Sequence, residues 1–231
     1  MKIFAISDLH LSFNADKPME VFGKAWENYV DVVAANWKAR VSEEDAVLLA
    51  GDLSWAMKLE DALADINFVA GLPGHKVIIK GNHDFWWSSI SRLRAALPSN
   101  FFAIQNDSVR VGDFLICGTR GWTVPEAGEV SEEDRKIYAR EVLRLKLSLS
   151  HMQSQRKEGD KVICMMHFPP FNSKREPSDF TELIYENKVD CAIYGHLHGK
   201  ECKADKKVVI SGVPYYLTSV DLVGTELVRI F

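Results

Sequence analysis

The feature that most constrains the fold of this 231-residue chain is a set of short, uninterrupted apolar runs rich in valine and isoleucine. They cover residues 2–7, 46–50, 76–80, 161–166 and 191–194. A run without alternating polar residues is typical of a strand that is buried on both faces. Helical patterns separate the first three runs, and strands that alternate with helices pair in parallel. The sequence therefore predicts a layered α/β protein.

Three helices are predicted in the first half of the chain. Apolar residues at intervals of four and three predict the first helix, and they are Phe22, Trp26, Tyr29, Val33 and Trp37. Two further helices are predicted over residues 59–69 and 88–96, because glycine or proline follows each segment. Parallel strands joined through these helices would form the first part of the core.

The second half of the chain changes in character. Strands are predicted over residues 101–104 and 108–118, with a hairpin turn at Gly112-Asp113. Over residues 207–231, β-hairpins are predicted around Gly212-Val213-Pro214 and Val223-Gly224. Residues 131–134 resemble a helix cap. An apolar stripe follows this cap, formed by Tyr138, Val142, Leu145, Leu149 and Met152. Packing of this helix on its own domain is favoured over an oligomer contact or a mobile lid.

The amino-acid composition excludes several classes of protein. Hydrophobic residues make up 47% of the chain and charged residues 26%, which excludes collagen-like, disordered and coiled-coil proteins. The net charge of −4 does not favour binding to long nucleic acids. No apolar run approaches the roughly 18–20 residues that cross a bilayer, and the N-terminus turns polar too early for a signal peptide. We therefore expect a cytoplasmic protein without membrane association, folded as one domain over residues 1–231, and leave its oligomeric state open.

Each of the five buried runs is followed directly by residues that can bind a metal ion. These residues are Asp8 and His10, Asp52, Asn82 with His83 and Asp84, His167, and His196 with His198. Five of the seven histidines of the chain lie in these turns. Because ligands of open α/β sheets gather outside the carboxyl ends of strands, the five turns are expected to converge on one crevice.

The spacing within two of the turns favours shared metal binding. In an extended segment, residues two apart point the same way, so Asp8 and His10 are expected to reach one ion, as are His196 and His198. Oxygen and imidazole ligands without thiolate suit Mn, Fe or Zn. Such a large donor set exceeds the needs of one tetrahedral ion and suits two ions that share a carboxylate. Each motif alone is also a common turn or surface pattern, so the hypothesis depends on all five in order.

Together the turns match the pattern D-x-H, G-D, G-N-H-[DE], H and G-H-x-H. With these motifs the sequence resembles the calcineurin-like metallophosphoesterase family, including its bacterial-type Ser/Thr phosphatase-like members, over a span from Asp8 to His198. The resemblance implies a four-layer αββα sandwich, in which two mixed β-sheets are flanked by helices. It also implies a phosphoric ester hydrolase with two divalent or trivalent metal ions.

The resemblance further implies a role for each matching residue. The ligands implied for the first ion are Asp8, His10 and His198, and those implied for the second are Asn82, His167 and His196. Asp52 would bridge the two ions. His83 would act as general acid toward the leaving group, and Asp84 would orient the His83 ring.

The implied reaction is hydrolysis of a phosphate ester by in-line attack of a metal-bridging hydroxide. Two divalent ions carry more positive charge than their two ligating carboxylates, so the site is expected to attract phosphate although the protein is acidic. A phosphomonoesterase is the favoured hypothesis, and a phosphodiesterase acting on nucleotides or cyclic nucleotides is the alternative. The acidic net charge favours monoesters or small diesters over long nucleic acids as substrates. A non-catalytic scaffold on the same fold is a third hypothesis, against which the complete ligand set and His83 argue.

Three residues near the predicted turns are candidates for substrate contact. Arg120 follows a predicted strand and could bind a phosphate group through two hydrogen bonds, although an ion-paired or solvated arginine is the favoured interpretation. Trp87 and Trp122 could stack on an aromatic or nucleotide group, whereas packing in the core or at the rim is favoured for both.

Overall fold

The computed structural model describes residues 1–126 and 131–231, and its strands form two sheets. The strands are β1 (Ile3–Ile6), β2 (Ala46–Leu49), β3 (His75–Ile78), β4 (Phe101–Ala103), β5 (Ser108–Val111), β6 (Phe114–Thr119), β7 (Lys161–Met166), β8 (Cys191–Tyr194), β9 (Lys207–Ile210), β10 (Val213–Leu217) and β11 (Val228–Arg229). The α-helices are α1 (Tyr29–Arg40), α2 (Leu59–Ala70), α3 (Ile90–Ala96), α4 (Glu132–Gln155), α5 (Asp179–Glu186) and α6 (Val220–Val223). None of these helices has the length and apolar character needed to span a membrane.

Both sheets are mixed. The first has the order β11-β1-β2-β3-β4, in which β1 to β4 are parallel and β11 is antiparallel to β1. The second has the order β5-β6-β7-β8-β10-β9, with a parallel centre and an antiparallel hairpin at each edge. The predicted parallel strands and the two hairpins at Gly112 and Gly212 are confirmed.

Three apolar layers separate the sheets and helices. Within β1, Phe4 and Ile6 pack toward α1 and α2, whereas Ile3 and Ala5 pack against the second sheet. On the far side of the second sheet, α4 and α5 cover a third cluster. Strands in this arrangement are buried on both faces, which explains their continuous apolar runs. The layers follow the order α, β, β, α, and the predicted fold class is confirmed.

The first predicted helix is shorter than its apolar spacing indicates. Two 3₁₀ turns, Met19–Phe22 and Lys24–Trp26, precede α1. Gly23 between them has a φ of 112° and Asn28 before α1 has a φ of 52°, and neither conformation continues a right-handed helix. Phe22 is consequently exposed. The apolar spacing here reflects three separate short elements.

The C-terminal segment also departs from the prediction. Val223-Gly224 is not a hairpin turn, because Gly224 ends α6 with a left-handed φ of 78°. The chain then returns to the first sheet, where β11 pairs with β1. The α5 helix was not predicted, and the capping box formed by Ser178 and Thr181 marks its start.

Candidate metal centre

Predicted metal ligands meet where the carboxyl ends of the two sheets face each other. They are Asp8 and His10 after β1, Asp52 after β2, Asn82 after β3, His167 after β7, and His196 and His198 after β8. Strands β1 to β3 belong to the first sheet and β7 and β8 to the second. Residues up to 190 positions apart in the chain thus lie within one site. We describe them as two groups of neighbouring side chains, and Asp8, Asp52 and His167 also have candidate ligand atoms within 4.8 Å of one another.

The first ligand group consists of Asp8, His10 and His198, whose candidate ligand atoms lie within 4.8 Å of one another. The His198 Nε2 atom is 3.1 Å from the Asp8 Oδ1 atom. The second ring nitrogen of His198, Nδ1, is 2.8 Å from Oδ1 of Asp221. When Nδ1 donates its proton to Asp221, the lone pair of Nε2 points toward Asp8. A carboxylate behind a histidine commonly orients it in this way for metal binding.

The second ligand group consists of Asn82, His167 and His196. The Asn82 Oδ1 atom lies 2.6 Å from Nε2 of His167 and 2.9 Å from Nδ1 of His196. The Nδ1 atom of His167 is 2.9 Å from the carbonyl oxygen of Ala50, so its N–H can donate there and leave Nε2 free as a ligand. Burial lowers the pKa of His167 to about 4, and the ring is therefore the neutral imidazole that metal binding requires.

Asp52 lies between the two groups. Its Oδ2 atom is 3.8 Å from Nε2 of His10 in the first group and 3.5 Å from Nε2 of His167 in the second. Burial, together with the carboxylates of Asp84 and Asp8, raises the pKa of Asp52 to about 9. A carboxylate in this position is costly to ionise unless a cation lies beside it.

The residues of this site fit metal ions. Among the described residues, every ion-pair partner of the buried Asp8 and Asp52 carboxylates is a histidine, and no lysine or arginine balances them. His10 Nδ1 and His198 Nε2 are buried and have no hydrogen-bond partner in the described part of the chain. Buried carboxylates without a cation, beside imidazole nitrogens without a partner, are the expected surroundings of divalent metal ions.

Four of these residues have a left-handed backbone. The φ angles are 59° at Asp8, 47° at His10, 52° at Asp52 and 69° at His196. Positive φ is uncommon outside glycine and is concentrated at functional sites, where the surrounding structure holds the strain. The turns after β1, β2 and β8 are tight for this reason.

These tight turns bear on the prediction that residues two apart share a metal ion. The segments after β1 and β8 are not extended, so the rule that residues two apart point the same way does not apply to them. His196 lies beside Asn82, whereas His198 lies beside Asp8, and these contacts do not support the prediction that both reach one ion. The division that the family resemblance implies agrees with these contacts.

Two glycines allow the carboxylates to approach the strand ends closely. A Cβ atom at Gly81 would overlap the Asp52 carboxylate, and one at Gly195 would overlap the Asp8 carboxylate and the Ser7 hydroxyl. Neither position tolerates a side chain without displacement of a ligand. The glycines of the G-N-H-D and G-H-L-H motifs therefore have a steric role.

Asp84 has a different position from the one predicted. Its carboxylate is fully buried and accepts backbone N–H bonds from Gly81 at 2.7 Å, Asp52 at 2.8 Å and Leu53 at 2.9 Å, and the indole N–H of Trp86 at 2.9 Å. None of its described hydrogen bonds goes to the His83 ring. Asp84 positions the turn that carries Asp52, and the predicted contact with the ring is corrected.

His83 lies beside Asp52. Its backbone N–H donates to Oδ1 of Asp52 at 2.8 Å. The imidazole is half-buried, with its ring centre 4.6 Å from that of Trp55 and 5.8 Å from that of His10. Burial lowers the pKa of His83. The backbone contact fixes the position of the residue beside Asp52.

The three residues predicted as substrate contacts have structural partners. Nη2 of Arg120 is 3.5 Å from a carboxylate oxygen of Glu141, and its guanidinium lies 5.0 Å from the Trp122 ring centre. Trp87 is only 7% exposed and its indole N–H donates to Gln105 at 2.8 Å. These contacts agree with the packing and ion-pair interpretations of the three residues.

Asp221 is the residue of this site that the sequence did not reveal. It lies in α6, close to the C-terminus of the chain, and its side chain is 4% exposed. Besides its contact with His198, the carboxylate accepts the backbone N–H of Gly199 at 3.0 Å. A single aspartate before Val223-Gly224 carries no motif, and the predicted hairpin placed it in a turn.

The sequence comparison identifies the family. The calcineurin-like phosphoesterase pattern matches residues 1–200 of the chain, and the chain belongs to this family. It is a metallophosphoesterase, in which divalent metals serve the hydrolysis of phosphate esters. Among curated proteins, none matches the sequence.

Solved structures share the fold. The phosphopantetheinyl hydrolase of Mycobacterium tuberculosis is similar with a TM-score of 0.62 and 14% identity, over 100% of this chain and 95% of that one. TT1561 of Thermus thermophilus is similar with a TM-score of 0.62 and 14% identity, over 98% and 96% of the two chains. A protein of unknown function from Aquifex aeolicus, AQ665, has a TM-score of 0.54 and 14% identity, over 99% and 95%. At this identity the likeness concerns the fold alone.

Proposed function

We propose that this chain is a phosphomonoesterase with two metal ions. The first ligand group would hold one ion, the second group the other, and the Asp52 carboxylate would bind both. The observation that carries the proposal is the position of Asp52, whose Oδ2 atom lies within 4 Å of a histidine from each group. Oxygen and imidazole donors favour Mn, Fe or Zn.

A monoester is favoured by the charge of the site. When bound, two divalent ions lower the pKa of a water and stabilise the negative charge on the phosphoryl oxygens. Asp8 and Asp52 are the carboxylates among the proposed ligands, and the second group is an amide and two imidazoles without formal charge. An excess of positive charge therefore remains, and a dianionic monoester neutralises it better than a monoanionic diester.

His83 is the proposed proton donor to the leaving-group oxygen. Its backbone bond to Asp52 and its packing against Trp55 hold the ring beside the ligand groups. The neutral imidazole carries one N–H and can stabilise the departing oxygen by a hydrogen bond, while complete proton transfer requires the imidazolium. Since burial lowers the pKa of His83, proton transfer should weaken as the pH rises.

The experiment that tests this function compares two esters on one preparation. The metal-depleted protein is reconstituted with Mn, Zn or Fe and assayed with an aryl phosphate and with a bis-aryl phosphate. We expect the monoester to have the higher kcat/KM with at least one metal. A higher value for the bis-ester would make the chain a phosphodiesterase, and no turnover of either ester, with two ions bound per chain, would favour a non-catalytic role.

The role of His83 is tested by the quality of the leaving group. His83→Ala should reduce kcat/KM for an alkyl phosphate on the order of 10²–10⁴-fold, because the alkoxide needs a proton. The loss for nitrophenyl phosphate should be much smaller, since nitrophenolate leaves without one. Equal losses for the two esters would exclude proton donation by His83 and indicate a role in binding. Metal content measured on the same samples separates either result from loss of an ion.

A further inference from the structure

A cavity of about 350 Å³ lies between the ends of β3 and β6 and the α4 helix. We call it the basic cavity, and its charged lining residues are Lys80, Arg120, Arg140, Glu141 and Arg144. Lys80 is two residues before Asn82 in the chain. The carbonyl oxygen of Arg120 accepts the backbone N–H of His167 at 3.1 Å. The basic cavity is thus joined directly to the turns that carry two proposed metal ligands.

The lining of the basic cavity has an excess of positive charge. Its single carboxylate, Glu141, is fully buried and is already engaged. Its two oxygens lie 2.7 Å from Nη1 of Arg144 and 2.8 Å from the hydroxyl of Thr119. One glutamate balances one of the four cationic side chains that line the cavity, so an anion would be attracted to it.

Two cationic groups of the lining have donors without acceptors. In the described part of the chain, Lys80 makes no hydrogen bond or ion pair, although it is half-buried. The Nε atom of Arg120 is buried and has no acceptor among the described residues. A group with several acceptor oxygens would satisfy these donors.

We propose that the basic cavity binds a second anionic group of the substrate. This inference rests on the proposed phosphatase function and extends it, because the scissile phosphate would lie at the metal centre while a phosphate or carboxylate lies among Lys80, Arg120 and Arg144. Arginine presents planar pairs of N–H groups that match such oxygens. The substrate class is then a small phosphate ester with two anionic groups.

The test compares alkanediol bisphosphates of increasing chain length with alkyl monophosphates of the same length. For at least one length, we expect the bisphosphate to exceed the monophosphate in kcat/KM by about tenfold or more. Arg144→Gln should reduce this ratio toward one, and Arg144→Lys, which keeps the charge, should retain part of it. Lys146→Gln is the matched control, since it removes one exposed charge from α4 outside the basic cavity and should leave the ratio unchanged. Equal ratios in the Arg144→Gln and Lys146→Gln variants would overturn the proposal, as would a series without any favoured length.

A binding measurement separates failure of this proposal from failure of the proposed function. Pyrophosphate is titrated into the metal-depleted protein and followed by the fluorescence of Trp87, which lines the cavity, and of Trp122, which lies under Arg120. The Kd should be about tenfold higher in Arg144→Gln than in Lys146→Gln. If the protein hydrolyses no ester but shows this difference in Kd, the proposed phosphatase function is contradicted and anion binding in the basic cavity is supported. Equal Kd values for the two variants contradict the cavity, whatever the activity.

Discussion

The two ligand groups are held in place by different means. In the first group, His198 is oriented by the side chain of Asp221, which comes from a four-residue helix near the C-terminus. In the second, His167 is oriented by the backbone carbonyl of Ala50 at the end of β2. A backbone partner is provided by the sheet itself, whereas a side-chain partner depends on one residue. The second group is therefore a property of the fold, and the first also depends on Asp221.

The two groups also differ in their affinity for protons. Burial lowers the pKa of His198, but the hydrogen bond to Asp221 and the charges of Asp8 and Asp221 outweigh burial and raise it to about 10. Burial dominates at His167 and lowers its pKa to about 4. In the metal-free chain the first group must release a proton before His198 can bind an ion, and the second group need not. Metal binding should accordingly be more dependent on pH in the first group.

The largest effect should come from the residue that the two groups share. Asp52→Asn should lower the number of bound ions in both groups and reduce kcat/KM by more than about 100-fold, beyond the range typical of residues that only support a ligand. Metal content per chain and kcat/KM are measured together. Loss of a single ion would assign Asp52 to one group and contradict the bridging role.

The control for this variant is Asp45→Asn, a buried aspartate at the opposite end of the same strand. Asp45 accepts the backbone N–H groups of Lys2 and Ser42, so its replacement should lower stability. Its metal content should stay the same as that of the unmodified chain. Equal metal loss in the two variants would mean that Asp52→Asn acts through general destabilisation.

A smaller and selective effect is expected from Asp221. Asp221→Ala should weaken the affinity for one of the two ions by about 10–100-fold, since supporting carboxylates of metal-binding histidines commonly have that effect. The metal affinity of Asp221→Asn should lie between that of Asp221→Ala and that of the unmodified chain, because the asparagine amide oxygen can still accept a hydrogen bond from Nδ1 of His198. Metal titration by calorimetry distinguishes the ions. Equal weakening of both would contradict the division into two groups.

The sequence predicted which side chains meet in the site better than the geometry that joins them. Buried strands leave long apolar runs, and the polar residues that follow such runs stand out, so each turn with its ligands could be located from the chain alone. The left-handed φ angles of Asp8 and His196 leave no such pattern, because aspartate and histidine also occur in ordinary turns. The spacing argument therefore placed His196 with His198, whereas the structure places it beside Asn82.

Long-range contacts are the second feature of the site that the sequence does not predict. Asp221 contacts His198, 23 residues away in the sequence. Asp84 accepts hydrogen bonds from the backbone of residues 31 and 32 positions away. Local sequence patterns carry no information about contacts over such separations. The prediction of the first helix failed for the opposite reason. Its apolar residues lie at helical intervals, but the positive φ angles of Gly23 and Asn28 divide them among separate elements. Periodicity predicts which residues are buried, and backbone breaks decide which of them form one element.

The last expected effect is a pH dependence of stability that only the metal-free chain should show. Between pH 6.5 and 8, Asp52 with a pKa of about 9 and His198 with a pKa of about 10 keep their protons when folded. In the unfolded chain the two side chains have ordinary pKa values of about 3.9 and 6.5. Unfolded aspartate has therefore already lost its proton at pH 6.5, and unfolded histidine loses its proton between pH 6.5 and 8. The folded state thus binds more protons, and stability falls as the pH rises. His10 and His167, with pKa values of about 3 and about 4, are neutral in the folded state and half or more neutral in the unfolded state here, so they add little slope.

Thermal unfolding of the EDTA-treated chain at pH 6.5 and pH 8 measures this decline, which should be on the order of 3 kcal/mol in total. Bound ions replace both protons, so the metal-loaded chain should lack the decline. Asp221→Asn should reduce the slope of the metal-free chain, because it removes a charge that raises the pKa of His198. Asp52→Asn should remove the contribution of the shared carboxylate. If the Tm of the metal-free chain rises over this interval, the protons are not held at Asp52 and His198, and the difference in proton affinity between the two ligand groups is wrong.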